Sequence, residues 1–266
     1  MTPNSNPSRA RSEAATLASA APGDGVDAGA NPAPIRGLRS LARTRPEPSG
    51  EPRLLSLPAT RTVSVLYRPV KRVIDFFVGA ILLIFATPII LIAAAAIRIE
   101  TRGSPFFVQT RIGKGGKTFK IVKLRGMFID APVRFASYYD YSEKKNLDFF
   151  FHHEDDPRVT RAGRLIRKTS IDELPNLWNV VLGDMSLVGP RPEIPEVINL
   201  YGSFREEYLS VKPGVTCLSK ITGRDRLTKQ ETIEFDISYI RQRCLGLDIS
   251  ILWRTFRSVL LRRDVF

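Results

Sequence analysis

Cysteine is nearly absent from the 266-residue chain, which holds only Cys217 and Cys244. Two thiols this far apart exclude a disulfide framework and a cysteine-based zinc site, and they fit a reducing compartment. Either serves as a small core residue. Histidine is equally scarce, and its two copies, His152 and His153, sit beside Glu154, Asp155 and Asp156. Adjacent side chains diverge on a helix or strand, so this cluster matches no usual metal-ligand spacing. Carboxylates are the third shortfall: 27 acidic residues face 40 Lys and Arg, a formal net charge of +13. The excess points to an anionic partner, whether nucleic acid, an anionic membrane surface or phosphorylated substrates. Base-reading motifs are missing, which leaves nucleic acid the weakest of the three.

Apolar residues are unevenly spread. Residues 1–60 are rich in Ala, Pro, Ser, Gly and Arg, have little apolar periodicity, and read as a disordered basic tail. The early part lacks the compact apolar run of a secretory signal. From Phe76 to Ile97 there is no charged residue at all. About 20 such residues span a bilayer as a straight helix. Pro88, preceded by Thr87, removes a helical hydrogen bond in the middle of the run, so a bend or break is expected there. Thr87 is placed to satisfy a backbone group that the bend frees. Arg61, Arg68, Lys71 and Arg72 precede the run, and Arg98, Arg102, Arg111 and Lys114 follow it. Positive charge is retained on the cytoplasmic side, so basic flanks at both ends predict a segment that enters, turns at Pro88 and returns. A straight span is the alternative.

Beyond the apolar run, Pro105–Arg111 and Lys117–Leu124 flank the Gly113-Lys114-Gly115-Gly116 turn and read as a β-hairpin. Alternation puts Lys123 and Arg125 on one face, suited to phosphates or headgroups, though solvated edge-strand lysines look the same. Ala131–Asp156 is polar and aromatic, as expected of a stretch along a membrane interface. Thr160–Thr169 reads as a short basic helix.

The densest chemistry lies between Arg167 and Pro192. Ser170 and Glu173 have the spacing of a capping box, which puts Asp172 in the first turn of a helix. A helix start favours a carboxylate and equally favours a phosphate brought up to it. An ionised carboxylate attacks phosphorus when cations screen the approaching oxygens; Arg167, Lys168 and Arg191 are available. Prolines on both sides of Arg191, in Gly189-Pro190-Arg191-Pro192, fix its backbone for an oxyanion clamp. A plain helix start explains the box alone equally well. Leu174, Leu177, Trp178 and Val181 mark a buried face, with Trp178 as core. Near the end, Ile249, Leu252, Trp253, Phe256, Val259 and Leu260 form a stripe beside Arg254, Arg257, Arg262 and Arg263. It reads as an interfacial helix or as ordinary core packing.

Ordered motifs over about residues 70–262 extend this reading. They are Lys71-Arg72-Val73-Ile74-Asp75; Gly103-Ser104-Pro105-Phe106-Phe107 with Gln109 and Arg111; and Phe119-Lys120-Ile121 with Lys123, Leu124, Arg125 and Met127. Asp156-Pro157-Arg158-Val159-Thr160, Ser170-Ile171-Asp172-Glu173-Leu174-Pro175, Gly183 to Pro192, and Lys212-Pro213-Gly214-Val215-Thr216 complete the set. The chain thereby resembles the bacterial sugar transferase family, small monotopic polyprenol-phosphate phosphoglycosyl transferases.

The resemblance implies that Asp172 attacks the sugar-bearing phosphate of a UDP-sugar, releasing UMP, and that a polyprenyl phosphate, undecaprenyl phosphate in bacteria, then takes the hexose 1-phosphate. Glu173 would help Asp172 hold Mg2+, and Arg167 and Arg191, with Lys123 and Arg125, would meet phosphate oxygens. The family's membrane helix bends at a pair matching Thr87-Pro88. The implied place is the bacterial inner membrane, with the catalytic domain in the cytoplasm, and the implied role is initiating exopolysaccharide or glycan assembly. Two departures stand out: Gly126 replaces a frequent Thr, and Cys217-Leu218-Ser219-Lys220 lacks the usual Trp and Gln. They motivate the alternative of a catalytically inactive membrane scaffold. The expected fold is α+β and mainly helical: a tail over 1–60, a re-entrant membrane helix over 61–100, and over 101–266 a cytoplasmic domain with a β-hairpin and interfacial helices. Expected partners are the UDP-sugar, the polyprenyl phosphate and membrane lipids, without nucleic acid; homo-oligomerisation stays open.

Overall fold

In a computed structural model the chain divides into two units, Met1–Glu47 and Pro48–Phe266. Residues 57–139, 156–223 and 227–261 are described, all in the second unit. Most of the expected tail, the stretch 140–155 with His152 and His153, and Arg262 and Arg263 lie outside the described residues.

The apolar run belongs to one 34-residue helix, α1, Tyr67–Glu100, which contains Pro88. Helical structure continues through the proline, so the chain does not leave the helix there. Thr87 Oγ1 donates to the Leu83 carbonyl at 2.7 Å, a back-bond within its own turn. By length and composition α1 is able to cross a bilayer. It is not a core helix, since Ile84, Phe85, Leu91 and Ile92 are all more than 60% exposed. Its narrow buried face, including Gly79, Ala86, Ile90, Ala93 and Ile97, packs on the rest of the unit.

The hairpin forms as expected: β1, Phe106–Ile112, pairs antiparallel with β2, Thr118–Leu124, from Phe106 opposite Leu124 to Ile112 opposite Thr118. A short helix α2, Ala131–Arg134, follows. Then α3, Arg161–Lys168, is capped by Thr160, whose side chain accepts from the Gly163 amide. A 3-10 turn, Ile171–Asn176, leads into α4, Leu177–Leu182. Strand β3, Ser186–Val188, pairs in parallel with β4, Gly214–Thr216, across the short helices α5, Pro195–Ile198, and α6, Arg205–Tyr208. The short helix α7, Leu218–Thr222, precedes two longer ones, α8, Lys229–Gln242, and α9, Leu245–Leu261. Among the described residues the unit is mainly helical with two small two-stranded sheets.

Two sequence expectations change. Trp178 is not core: it is 52% exposed, and the inner face of α4 is Leu177, Asn179 and Val180. Helical spacing marks an apolar face without saying whether protein or lipid covers it. On α9 the inner positions are Leu247, Asp248 and Ile251, whereas Ile249, Trp253, Phe256 and Val259 point outward. Those four are therefore not used for core packing, whereas Leu252 is half-buried.

Candidate active site

Glycines set the frame of the site. A Cβ on Gly163 would stand 1.9 Å from the Gly126 carbonyl oxygen, so α3 crosses the end of β2 at backbone contact. Gly126 in turn leaves room for the Arg167 stem, whose Cδ would lie 3.3 Å from an added Cβ. The Pro190 turn and the β4 entrance are equally close. A Cβ on Gly214 would meet the Gly189 nitrogen at 2.2 Å, and the Gly214 amide donates to the Pro190 carbonyl at 2.8 Å. Both motif glycines are thus required by backbone approach.

The acid pair opens the 3-10 turn, and here the expected capping box fails. Ser170 has φ 57°, the left-handed region, where a capping residue should be extended, and its side chain makes no capping bond. It is the only non-glycine residue with positive φ among those described. Such strain concentrates at functional sites, and here it turns the following residues toward the hairpin. Glu173, freed from capping, accepts from Lys123 of β2 at 3.2 Å on Oε1 and from Lys220 of α7 on Oε2. The lysines and Glu173 are all less than 20% exposed in their side chains.

This electrostatic ring separates the two acids. Burial works to raise the Glu173 carboxyl, but Lys220, then Lys123 and Arg191, overcome it and hold Glu173 well below the usual carboxylate range. Burial and then the Glu173 charge push Asp172 the other way, above its ordinary value, with Lys123, Lys220 and Arg167 opposing. Burial lowers the Lys123 ammonium despite Glu173. Two adjacent carboxyls with opposite shifts are suited to two roles: a fixed anion and a group whose charge responds to what binds.

Arg191 lines the same cleft as Lys123, Glu173 and Lys220. Its turn is held by partners that sequence reasoning missed. The Arg191 amide donates to Asp236 Oδ2 at 3.0 Å, and Tyr208 donates to the Arg191 carbonyl at 2.8 Å. Asp236 is fully buried, and its Oδ1 accepts from Ser219 at 2.9 Å, one residue before Lys220. Arg111, also in the cleft, donates to the Pro192 carbonyl at 3.0 Å and to Gln109 at 2.6 Å.

Of the residues expected to meet phosphate, Lys123, Arg167 and Arg191 come together around the acids. Arg125 is committed to carbonyls near the end of α1: its Nη2 donates to Thr101 O at 3.2 Å and Thr101 Oγ1 at 2.9 Å. Lys168 is exposed. Lys220 joins the ring unannounced, and its only sequence signal was that it falls in the departure after Thr216. Cys217 is buried, and burial followed by the Asp236 charge pushes its thiol up to about 12, so it serves as a core group.

Among the described residues no cluster of three or more His, Cys, Asp or Glu exists that would cage a metal. A Mg2+ shared with substrate does not need one, since it binds through one or two carboxylates plus phosphate oxygens and water. Asp172 fits that pattern. Both oxygens of Glu173 are already engaged by lysines.

The bacterial sugar transferase family model matches residues 66–262, across the whole of this site. The chain belongs to that family. It is 38% identical over 204 residues to the UDP-glucose:undecaprenyl-phosphate glucose-1-phosphate transferase of Caulobacter vibrioides, covering 74% of this chain and 72% of the relative. It is 35% identical over 207 residues to the exopolysaccharide production protein ExoY of Sinorhizobium fredii, covering 74% and 88%. Against the undecaprenyl-phosphate galactose phosphotransferase of Salmonella typhimurium it is 36% identical over 200 residues, covering 74% of this chain but 41% of the relative. Several larger relatives are thus matched over less than half their length. The apolar α1 and relatives named for undecaprenyl phosphate together point to membrane association.

Proposed function

We propose that this sugar transferase moves a hexose 1-phosphate from a UDP-sugar to undecaprenyl phosphate through a phosphosugar-aspartyl intermediate, initiating exopolysaccharide or glycan assembly. The observation that carries this reading is the acid pair: Glu173 fixed between Lys123 and Lys220, and Asp172 beside it with its carboxyl raised. An Asp172 oxygen attacks the sugar-bearing phosphorus. That P–O bond forms as the bond to the uridine-side phosphate breaks, and UMP leaves with the electron pair. A polyprenyl phosphate oxygen then attacks the same phosphorus, breaks the aspartyl bond and restores the carboxylate. The cationic ring around Asp172 screens phosphate oxygens in both halves. Mg2+, when bound, supplies further charge neutralisation. Taking the soluble donor and the lipid acceptor in turn lets both use one cleft.

The same reading puts the site at the cytoplasmic face of the bacterial inner membrane. Support comes from the two ends of α1, which are tied to one body. Near its start, Arg72 donates to the Val180 and Val181 carbonyls at 2.7 and 2.9 Å, and Asp75 accepts from the Leu187 amide at 3.1 Å. At its end, Glu100 accepts from the Arg161 and Ala162 amides at 2.7 and 2.8 Å. In this reading the helix, held on one unit at both ends, would enter and leave on the same side, with Thr87-Pro88 the point where its hydrogen-bond ladder is interrupted.

The test is UMP release from a panel of UDP-sugars by the full chain with polyprenyl phosphate and Mg2+. Asp172→Asn is expected to abolish it and to prevent capture of a phosphosugar adduct on the protein. Full turnover by Asp172→Asn would remove it as nucleophile, and silence with every sugar would favour the inactive scaffold.

A further inference from the structure

A second basic cleft lies on the other side of β3 from the acid pair. Met185, just before the strand, lines the acid-pair cleft, whereas Ser186 and Val188 line a separate cavity of about 150 Å3. No residue lines both. Six cations surround this second cavity: Arg68, Lys71, Arg72, Lys114, Lys212 and Arg243. Asp75 is the only carboxylate among its lining residues, and it is spent on the Leu187 amide and on Lys71 at 3.8 Å.

Three of the cations are accounted for by the fold. Lys71 pairs with Asp248 at 3.1 Å, Arg72 holds the end of α4, and Arg243 donates to the Ile240 carbonyl. Arg68, Lys114 and Lys212 make no side-chain hydrogen bond or ion pair among the described residues. Burial, then Arg72 and Lys114, lower the Lys212 ammonium, with Asp75 and Asp184 opposing. Like charges gathered around a concavity are relieved by an anion, which also gains several charge-assisted hydrogen bonds. Tyr67, Arg68, Lys71 and Arg72, in the first turns of α1, line the cavity, and Val65, Leu66 and Val70 in the same stretch of chain are exposed. That is the level of lipid phosphates for a helix whose uncharged run begins at Phe76.

We propose that this cavity is a second anion site, separate from the acid pair, that takes a phosphate group: the phosphodiester of an anionic lipid headgroup or free inorganic phosphate. The inference does not rest on the transfer reaction, and its test does not read turnover. The full chain in detergent is titrated calorimetrically with inorganic phosphate and, separately, with short-chain phosphatidylglycerol. At least one is expected to bind, with affinity about tenfold weaker in Arg68→Gln/Lys114→Gln/Lys212→Gln and kept in Lys212→Arg. Equal binding of both ligands assigns the site to phosphate generally, and binding of the lipid alone assigns it to headgroups. The single variant Lys212→Met, expected to weaken binding while unfolding at the wild-type temperature, separates lost affinity from lost structure. Absence of binding by both ligands, or wild-type affinity in the triple variant, would overturn the proposal.

Discussion

Lys220 donates to Glu173 across 47 residues of chain, tying the short helix after β4 to the acid pair. The ion pair is largely buried and shares its carboxylate with Lys123. Removing one partner of such a pair leaves an uncompensated charge, which costs far more than a surface ion pair. Lys220→Met is therefore expected to lower kcat about 100-fold, with Lys220→Arg recovering part of the loss. Steady-state UMP release checks this; wild-type rates in Lys220→Met would make the contact incidental.

The opposite shifts of the acids make a prediction about pH. As the proposed nucleophile Asp172 must be ionised to attack, and its raised value predicts that activity is lost as pH falls at a higher pH than an ordinary aspartate would give. Glu173→Gln removes the neighbouring negative charge and releases two lysines toward Asp172. Both changes favour ionised Asp172, so the acid limb of kcat should move to lower pH even as the maximal rate falls. A limb that stays in place would show that Asp172 does not govern it.

Asp236 acts through others, holding the Arg191 amide, Tyr208 and Ser219 at once. Asp236→Asn keeps the size but replaces one acceptor by a donor, and the Arg191 amide at Oδ2 can only donate. It should lower stability by about 2–3 kcal/mol and raise KM for the UDP-sugar through a loosened Arg191 turn. Denaturant unfolding and a split of KM from kcat distinguish this from a purely structural effect, which would leave the KM of the folded fraction unchanged.

Gly163→Ala should be among the most damaging small substitutions, since its Cβ would lie 1.9 Å from a backbone oxygen that cannot swing away. A cost of about 3 kcal/mol or more is expected from such overpacking. Gly126→Ala, whose Cβ would meet the flexible Arg167 stem at 3.3 Å and the Gly163 Cα at an ordinary 3.6 Å, should cost far less. Thermal unfolding of the two variants gives the comparison directly.

The hairpin, α3 and the run into β3 were legible because each rests on local signals: alternation around a glycine turn, a Thr cap, a glycine at φ 96°. The 3-10 turn was not, because Ser170-x-x-Glu173 has the same spacing whether or not its backbone is strained. The capping box that does form, Thr228 with Glu231, has that same spacing and starts α8. Lys220 and Asp236 were invisible for a different reason. Their roles depend on which distant segments fold against them, and a lysine or aspartate in a short polar stretch carries no mark of that. Trp178 illustrates the reverse case, a helical apolar spacing whose covering phase is absent from the sequence, so that a position expected in the core is exposed.

Arg72 closes the open carbonyl end of α4, and Glu100 closes the open amide end of α3. The bilayer-seeking helix is thus a structural member of the catalytic unit, not a tether attached to it. Cutting the chain after Glu100 to obtain a water-soluble enzyme would expose both helix ends, and the remainder is expected to aggregate. Solubilisation has to proceed by recoating the apolar face of α1, with polar substitutions at Ile84, Phe85, Leu91 and Ile92, while leaving both anchors in place.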